Sequence, residues 1–301
     1  MSSVLYDTPG PKARTRNILY TVVFLAAFAG ALVWVLTTMA DKGQLAAEKW
    51  SPFVNDGAVW TTFLLPGLAE TLKAAALAIV IALPLGALLG VGRLSDHRWI
   101  RIPAGAVVEL FRAIPVLMLM LFGFALFVQF TDIGPELRPF YAVVAGLVLY
   151  NAAVIAEVVR AGIHALPHGQ SDAAKALGMR KGQAMTNVLL PQAVSLMLPA
   201  LVSQLVVILK DTALGGALLG VEDLLSAYQT IPANYGANTI ATLVVIAVIY
   251  IVVNFALTSF ASWLERRLRA SKKTSCPDGD ITPEEAALLA GPTPAETPAG
   301  R

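Results

Sequence analysis

The chain has 301 residues, 56% hydrophobic and 14% charged, with a mean hydropathy of +0.68 and a formal net charge of +2. It is too apolar for a soluble domain, and its apolar runs are too long for one globular core, so it reads as an integral membrane protein. The small charge, spread among loops, excludes a nucleic-acid surface; the single Cys276 excludes an internal disulfide, and the scattered His97, His164 and His168 offer neither a metal site nor a catalytic constellation.

Residues 1–17 form a polar segment whose Lys12, Arg14 and Arg16 stand just before an apolar run from Ile18 to Leu36. The run is longer than a signal-peptide h-region and no small-x-small cleavage site closes it, so it is expected to remain as a first span over 18–38. A polar connection, Asp41 to Thr62, carries Trp50 and Trp60, residues suited to the membrane interface. The transmembrane core, 68–268, opens with a second span from Leu68 to Gly92, on which Glu70 and Lys73 are spaced to pair. Arg93, Arg98 and Arg101 make a short basic loop before a third span, Ala113 to Phe130. Asp132 to Pro139 is a turn, and the fourth span, Phe140 to Val158, contains Asn151 and Glu157.

After a polar island comes a fifth apolar region, Ala193 to Leu219, interrupted by Pro199, Lys210-Asp211 and Gly215-Gly216. It exceeds one straight crossing of ~20 residues, so a break is expected near Lys210. Val221 to Asn238 turns back, and the sixth span runs from Thr239 to Leu264. The prediction is an all-α membrane protein with about six transmembrane helices. Residues 269–301, rich in Pro, Glu, Ala and Thr, read as a disordered tail. Fifteen Lys and Arg residues fall on one side of this topology, and Lys42, Lys49 and Arg138 on the other, which predicts both termini in the cytoplasm.

The polar island is the informative stretch. Within 160–191, Gly169 to Pro191 reads GQSDAAKALGMRKGQAMTNVLLP. Ser171 is a candidate N-cap, Asp172 suits the first turn of a helix, and Gly178 is a stop signal. Between them Ala173, Ala174 and Ala176 carry so little bulk that another protein's surface can approach, and the expectation is a docking helix; an ordinary basic loop is the plain alternative. A second helical stretch, Arg180 to Leu190, is expected to end at Pro191.

The spacing of these residues resembles the cytoplasmic loop of ABC importer permeases: EAA, three residues, Gly, nine residues, Ile-x-Leu-Pro. Asp172-Ala173-Ala174, Gly178, Val188, Leu190 and Pro191 fit it without a gap, with Asp for Glu and Val for Ile. Thr71-Leu72-Lys73, Arg93-Leu94-Ser95, Phe111-Arg112 with Pro115, Ala156-Glu157 with Arg160, and Lys210-Asp211-Thr212 extend the resemblance to the polar amino acid branch, most like actinobacterial glutamate permeases. Phe111-Arg112-Ala113-Ile114-Pro115 departs from the usual FRGTP, and Ala213 replaces a Ser. The resemblance implies the type I ABC importer permease fold, two cytoplasmic ATPase subunits, a second permease subunit, identical or homologous, and an extracellular or lipid-anchored solute-binding protein at a bacterial cell membrane. It implies coupling to the ATPases through Gly169, Asp172, Ala173, Ala174, Gly178, Leu190 and Pro191.

No GxxxxGK[ST] phosphate loop and no GxSxG or HExxH motif occurs, so the chain is expected to be no enzyme and to bind no cofactor; ATP and Mg belong to the partner ATPase. The competing class, a self-sufficient secondary transporter or channel, usually shows interrupted helices in both halves, and only one interruption is visible. Five intramembrane polar residues are candidates for a substrate path: Arg112, Asn151, Glu157, Lys210 and Asp211. An acidic amino acid needs cations for two carboxylates and an acceptor for its ammonium, which Arg112 or Lys210 with Glu157 would supply. For Glu157 the plain reading is a pair with Arg160, for Asn151 a helix–helix hydrogen bond, for Lys210 and Asp211 mutual neutralisation, and for Arg112 a reach toward headgroups.

Overall fold

A computed structural model describes residues 10–270, and every regular element among them is helical. Helix α1 (Pro11–Asp41) is followed by α2 (Ala47–Asn55), a π-helical turn (Val59–Leu64) that runs into α3 (Leu65–Arg93), then α4 (Arg98–Ala113), α5 (Val116–Phe130) and α6 (Arg138–His164). Next come α7 (His168–Ala176), α8 (Lys181–Ala184), a second π-helical turn (Met185–Leu189), α9 (Leu190–Asp211), α10 (Ala213–Leu218), α11 (Ala227–Tyr235) and α12 (Thr239–Ala270). Among the described residues, five stretches are long and apolar enough to cross a membrane, and six if the bent α4–α5 pair is one span. The first nine residues and those after Ala270, where the tail expectation falls, lie outside the described residues.

The bundle is built around α6, the most buried of the long helices, which packs against α3, α4, α5 and α9. In lipid, helices gain little from hiding apolar side chains, so close backbone approach decides which pairs form. The α3 face toward α6 is a four-residue stripe of small residues, Ala78, Ala82, Gly86 and Gly90, all buried. A Cβ on Gly86 would lie 2.7 Å from the Ile155 side chain and 2.8 Å from the Ala152 carbonyl oxygen, and one on Gly90 would lie 2.8 Å from the Ala156 carbonyl oxygen. Larger residues there would hold the two helices apart. Helix α1 packs none of its residues into this bundle.

Several boundaries differ from the sequence expectation, each for a local reason. The basic loop and third span are one broken element: α4 begins at Arg98, and α4 and α5 meet at 101°. Pro115 lacks an N–H and forces Ile114 into extended backbone (φ −90, ψ 128), which stops α4 there. At 15 residues, α5 is about 22 Å long, short of a ~30 Å hydrocarbon core by itself. Pro191 does not end a helix. The backbone stays helical from Lys181 to Asp211, because the wider π-turn at Met185–Leu189 precedes the proline and places it in the first turn of α9, where no amide is needed. Pro199 is likewise carried inside α9, whose break falls at Thr212. Helix α7 starts at His168, so Ser171 is no N-cap; Pro167, with its fixed extended backbone (φ −56, ψ 133), starts it without a side-chain cap. The expected turn-back Val221–Asn238 contains a further short helix, α11, closed by left-handed Gly236 (φ 77).

The two ends of the bundle are chemically distinct. At one, the α3–α4 turn meets α8, and Lys181 forms an ion pair with Asp96, which holds that carboxyl below its ordinary value. At the other, the Tyr235 hydroxyl donates to Asp56 (2.7 Å), Lys49 donates to the Gly236 carbonyl (2.8 Å), and Thr71 Oγ1 accepts the Leu224 amide (3.0 Å). The hydrogen bonds from Tyr235 and from the Ala58 amide depress the Asp56 pKa.

Candidate functional site

Helix α7 stands at the end of the molecule where the basic residues collect. It closes in a Schellman motif: the Met179 amide donates to the Ala174 carbonyl (3.1 Å) and the Gly178 amide to the Lys175 carbonyl (2.9 Å). Gly178 takes a left-handed backbone (φ 71), which glycine adopts without a Cβ clash. Ala174 is buried against α8 and the π-turn, while Asp172, Ala173, Ala176 and Leu177 remain exposed. The free face therefore consists of two methyls, a leucine that is 82% exposed, and an Asp172–Lys175 ion pair at 3.2 Å. Such a face suits a shallow apolar groove with a polar rim. Gly169 lies exposed in the first turn, Gln192 Nε2 donates to Gln170 Oε1 (3.1 Å) to brace the helix against α9, and Leu190 and Pro191 lie at the start of α9.

The five candidate path residues separate into three places. Glu157 and Arg112 meet near the same end as α7, in a cluster the sequence only half revealed. Arg160 donates to Glu157 from one turn away (2.5 Å), Arg93 from α3 donates to Glu157 at 2.7 Å and to Glu109 of α4 at 2.9 Å, and Arg112 stands 3.7 Å from Glu157. Three guanidiniums and two carboxylates thus tie α3, α4 and α6 beside the α4–α5 bend. The i,i+3 pair was visible as spacing; Arg93 and Glu109 carried no local signal. Asn151 is fully buried midway along α6, where its Oδ1 accepts from Gln204 of α9 (2.5 Å) and its Nδ2 donates to Leu147 (2.8 Å). It is the helix–helix hydrogen bond that the span itself suggested.

Lys210 and Asp211 end α9 at the opposite end from Glu157. Among the described residues they form no ion pair with each other, because successive helical side chains diverge by about 100°. Lys210 is exposed on a mostly apolar groove of about 410 Å³ that Leu225, Leu243, Ile246 and Tyr250 also line. Behind Tyr250 sits a carboxylate that sequence reasoning missed. Asp223 is 2% exposed; its Oδ1 accepts the Ser226 amide (2.9 Å), while Oδ2 has no partner among the described residues. Burial pushes its pKa from 3.8 up to about 6. Its only sequence signal was the D-x-x-S spacing before α11, which says nothing of burial.

Residues 82–270 match the family described as binding-protein-dependent transport system inner membrane component. This chain belongs to that family. The permease is 48% identical over 234 residues, 78% of its length and 85% of the relative's, to the glutamate transport system permease protein GluD of Corynebacterium glutamicum. It is 34% identical to the glutamate/aspartate import permease protein GltK of Escherichia coli, over 68% of this chain and 93% of that one. Its fold resembles a crystal structure of an amino acid ABC transporter (TM-score 0.61, 32% identity, 69% of this chain and 95% of that chain) and the MetNI methionine ABC transporter (0.56, 26%, 69% and 97%). It is an amino acid ABC permease with the type I importer fold, most like actinobacterial glutamate permeases, and nothing favours the self-sufficient transporter.

Proposed function

We propose that this permease carries glutamate inward as half of a membrane-spanning pair, driven by two separate ATPase subunits and fed by a solute-binding protein. The supporting observation is the 48% identity to a glutamate permease over 85% of that relative. The basic end is the cytoplasmic one, with both termini there, and α7 is the element on which an ATPase seats. ATP and Mg are bound by the ATPase and not by this chain.

In this reading, closure of the ATPase pair pushes on the face made by Ala173, Ala176 and Leu177. Two features carry the push into the spans: Lys181–Asp96 ties α8 to the α3–α4 turn, and α8 continues without a break into α9. Movement of α7 would thus reach α3, α4 and α9 together. At the outer end the cation Lys210 faces a groove open enough for an amino acid, and Arg112 and Glu157 stand near the inner exit. The reading is tested by reconstituting the permease with its neighbouring ATPase and binding protein in vesicles. ATP-dependent uptake of labelled glutamate, competed by aspartate more than by leucine, is the expected result. Uptake without the ATPase would overturn it.

A further inference from the structure

The start of α4 is not explained by the bundle or by coupling. Its inward face begins only at Ala104, Gly105 and Val108; the six residues Arg98 to Pro103 are all exposed and overhang the bundle. Trp99 is 92% exposed, with Ile102 at 63% and Ile100 at 51%. Arg98, Trp99, Ile102 and Pro103 line a cavity of about 500 Å³ whose walls are almost entirely apolar. An indole this bare, beside two bare isoleucines, is costly in water and well placed at a membrane boundary.

The charges point the same way. Arg93, Arg112, Arg160, Lys175 and Lys181 at this end take part in ion pairs, whereas Arg98, Arg101 and Arg180 have none among the described residues; Arg101 is near enough to Asp96 to help lower its pKa, but that carboxylate is already paired with Lys181. The first turn of α4 contains no acidic residue, and no side chain caps it, so its free amides add to a field that favours an anion. Because α5 packs along α6 and α4 is bent 101° away from α5, α4 runs across the bundle axis. If α5 follows the membrane normal, a bend of that size sets the first turns of α4 along the membrane surface. Val107 and Leu110, also exposed, continue the apolar face along the helix.

We infer that Arg98, Trp99, Arg101 and Ile102 form a binding site for anionic phospholipid headgroups in the leaflet on this side. The phosphodiester lies between Arg98 and Arg101, Trp99 sits at the level of the glycerol backbone, and Ile102 with Pro103 meets the upper acyl chain. Naming that leaflet the cytoplasmic one rests on the orientation proposed above; the site does not. Since Asp96, two residues before Arg98, is paired with Lys181 of α8, a lipid held here braces the turn on which the coupling segment leans.

The test uses the purified transporter complex in mixed bilayers of phosphatidylglycerol and phosphatidylcholine, with one lipid or the other carrying brominated chains that quench tryptophan. The Trp99 signal is the difference between the complex and its Trp99→Phe variant. Brominated phosphatidylglycerol should quench Trp99 well beyond its bulk mole fraction. Arg98→Gln with Arg101→Gln should lower that enrichment, by about fivefold per charge. Equal quenching by both lipids, or an enrichment unchanged in the double variant, overturns the proposal. Displacement of the brominated lipid by millimolar inorganic phosphate would make the site one for a small anion. Loss of the ATPase from the double variant on gel filtration in detergent would make the patch a protein contact. Either result removes the lipid assignment. Orientation is read separately, from labelling of Arg98→Cys in a Cys276→Ser background by an impermeant maleimide on intact cells. Labelling from outside would overturn the orientation and leave the quenching result standing.

Discussion

At the scale of single residues, glycines do two opposite jobs in this permease, and one substitution at each tells them apart. Gly178 needs no space: a Cβ there meets nothing within 4 Å, and the constraint is its φ of 71. Gly178→Val should strain the end of α7 by at least about 1–2 kcal/mol while leaving the spans inserted. Vesicle uptake should fall more than membrane expression; wild-type uptake and hydrolysis in the variant complex would remove α7 from coupling. Gly86 has an ordinary helical backbone and no space at all. Gly86→Ala should push α3 off α6 and lower stability by about 1–3 kcal/mol, seen as a lower unfolding temperature in detergent. Gly182→Ala, where a Cβ meets nothing, is the matched control and should not lower it.

At the scale of elements, the junctions between helices are held by ionic groups, and the consequence depends on how many partners share each charge. Glu157 is the anion common to Arg93, Arg112 and Arg160, drawn from three helices: it accepts hydrogen bonds from Arg93 and Arg160 and stands in ion-pair range of Arg112. Glu157→Gln leaves three guanidiniums facing one another with only Glu109 opposite, so a loss of about 1–3 kcal/mol is expected, less than for a fully buried pair because the site is partly hydrated. Arg160→Gln removes one contact of several and should cost less. Thermal unfolding of the two variants checks the order, and equal effects would argue against a shared acceptor. Lys210 presents the reverse case. With no ion pair to Asp211, Lys210→Gln should reduce glutamate uptake without lowering expression, and adding Asp211→Asn should not restore it. Joint recovery in the double variant would return Lys210 to a charge-balancing role.

For the molecule as a whole, the end opposite α7 carries a pH dependence of its own. The Asp223 carboxyl is buried, with a pKa raised from 3.8 to about 6. The folded state therefore holds its proton more tightly than the unfolded chain. Its contribution favours folding at low pH and is lost as pH rises from about 4 through 6, by roughly 3 kcal/mol at most, and stays lost above that. Asp56 and Asp96, whose pKa values are depressed, act in the opposite sense and lose stability as pH falls. A difference measurement isolates the first effect. Asp223→Asn should be more stable than the parent near pH 7, and the gap should close near pH 4; a gap that does not change with pH would mean that the folded and unfolded states bind this proton equally and that the carboxyl is not raised.

Much of this was legible without the fold. The number of spans followed from the length of apolar runs, because a bilayer core of fixed thickness sets how many residues must cross it. The exposed end helix and its left-handed stop were written locally, since Gly178 is needed wherever the chain turns out of a helix that way. The Glu157–Arg160 and Glu70–Lys73 pairs, both seen, follow from helical spacing alone. The structure decided what depends on segments far apart in the chain. Arg93 reaches Glu157 across 64 residues and Thr71 reaches Leu224 across 153, and no period in a single segment announces such a partner. The π-turn that carries Pro191 into α9, the bend that turns α4 across the bundle and the burial of Asp223 are of the same kind. Local chemistry fixes where the backbone can be helical, but which faces meet depends on how closely whole helices pack, and that is set by all of them at once.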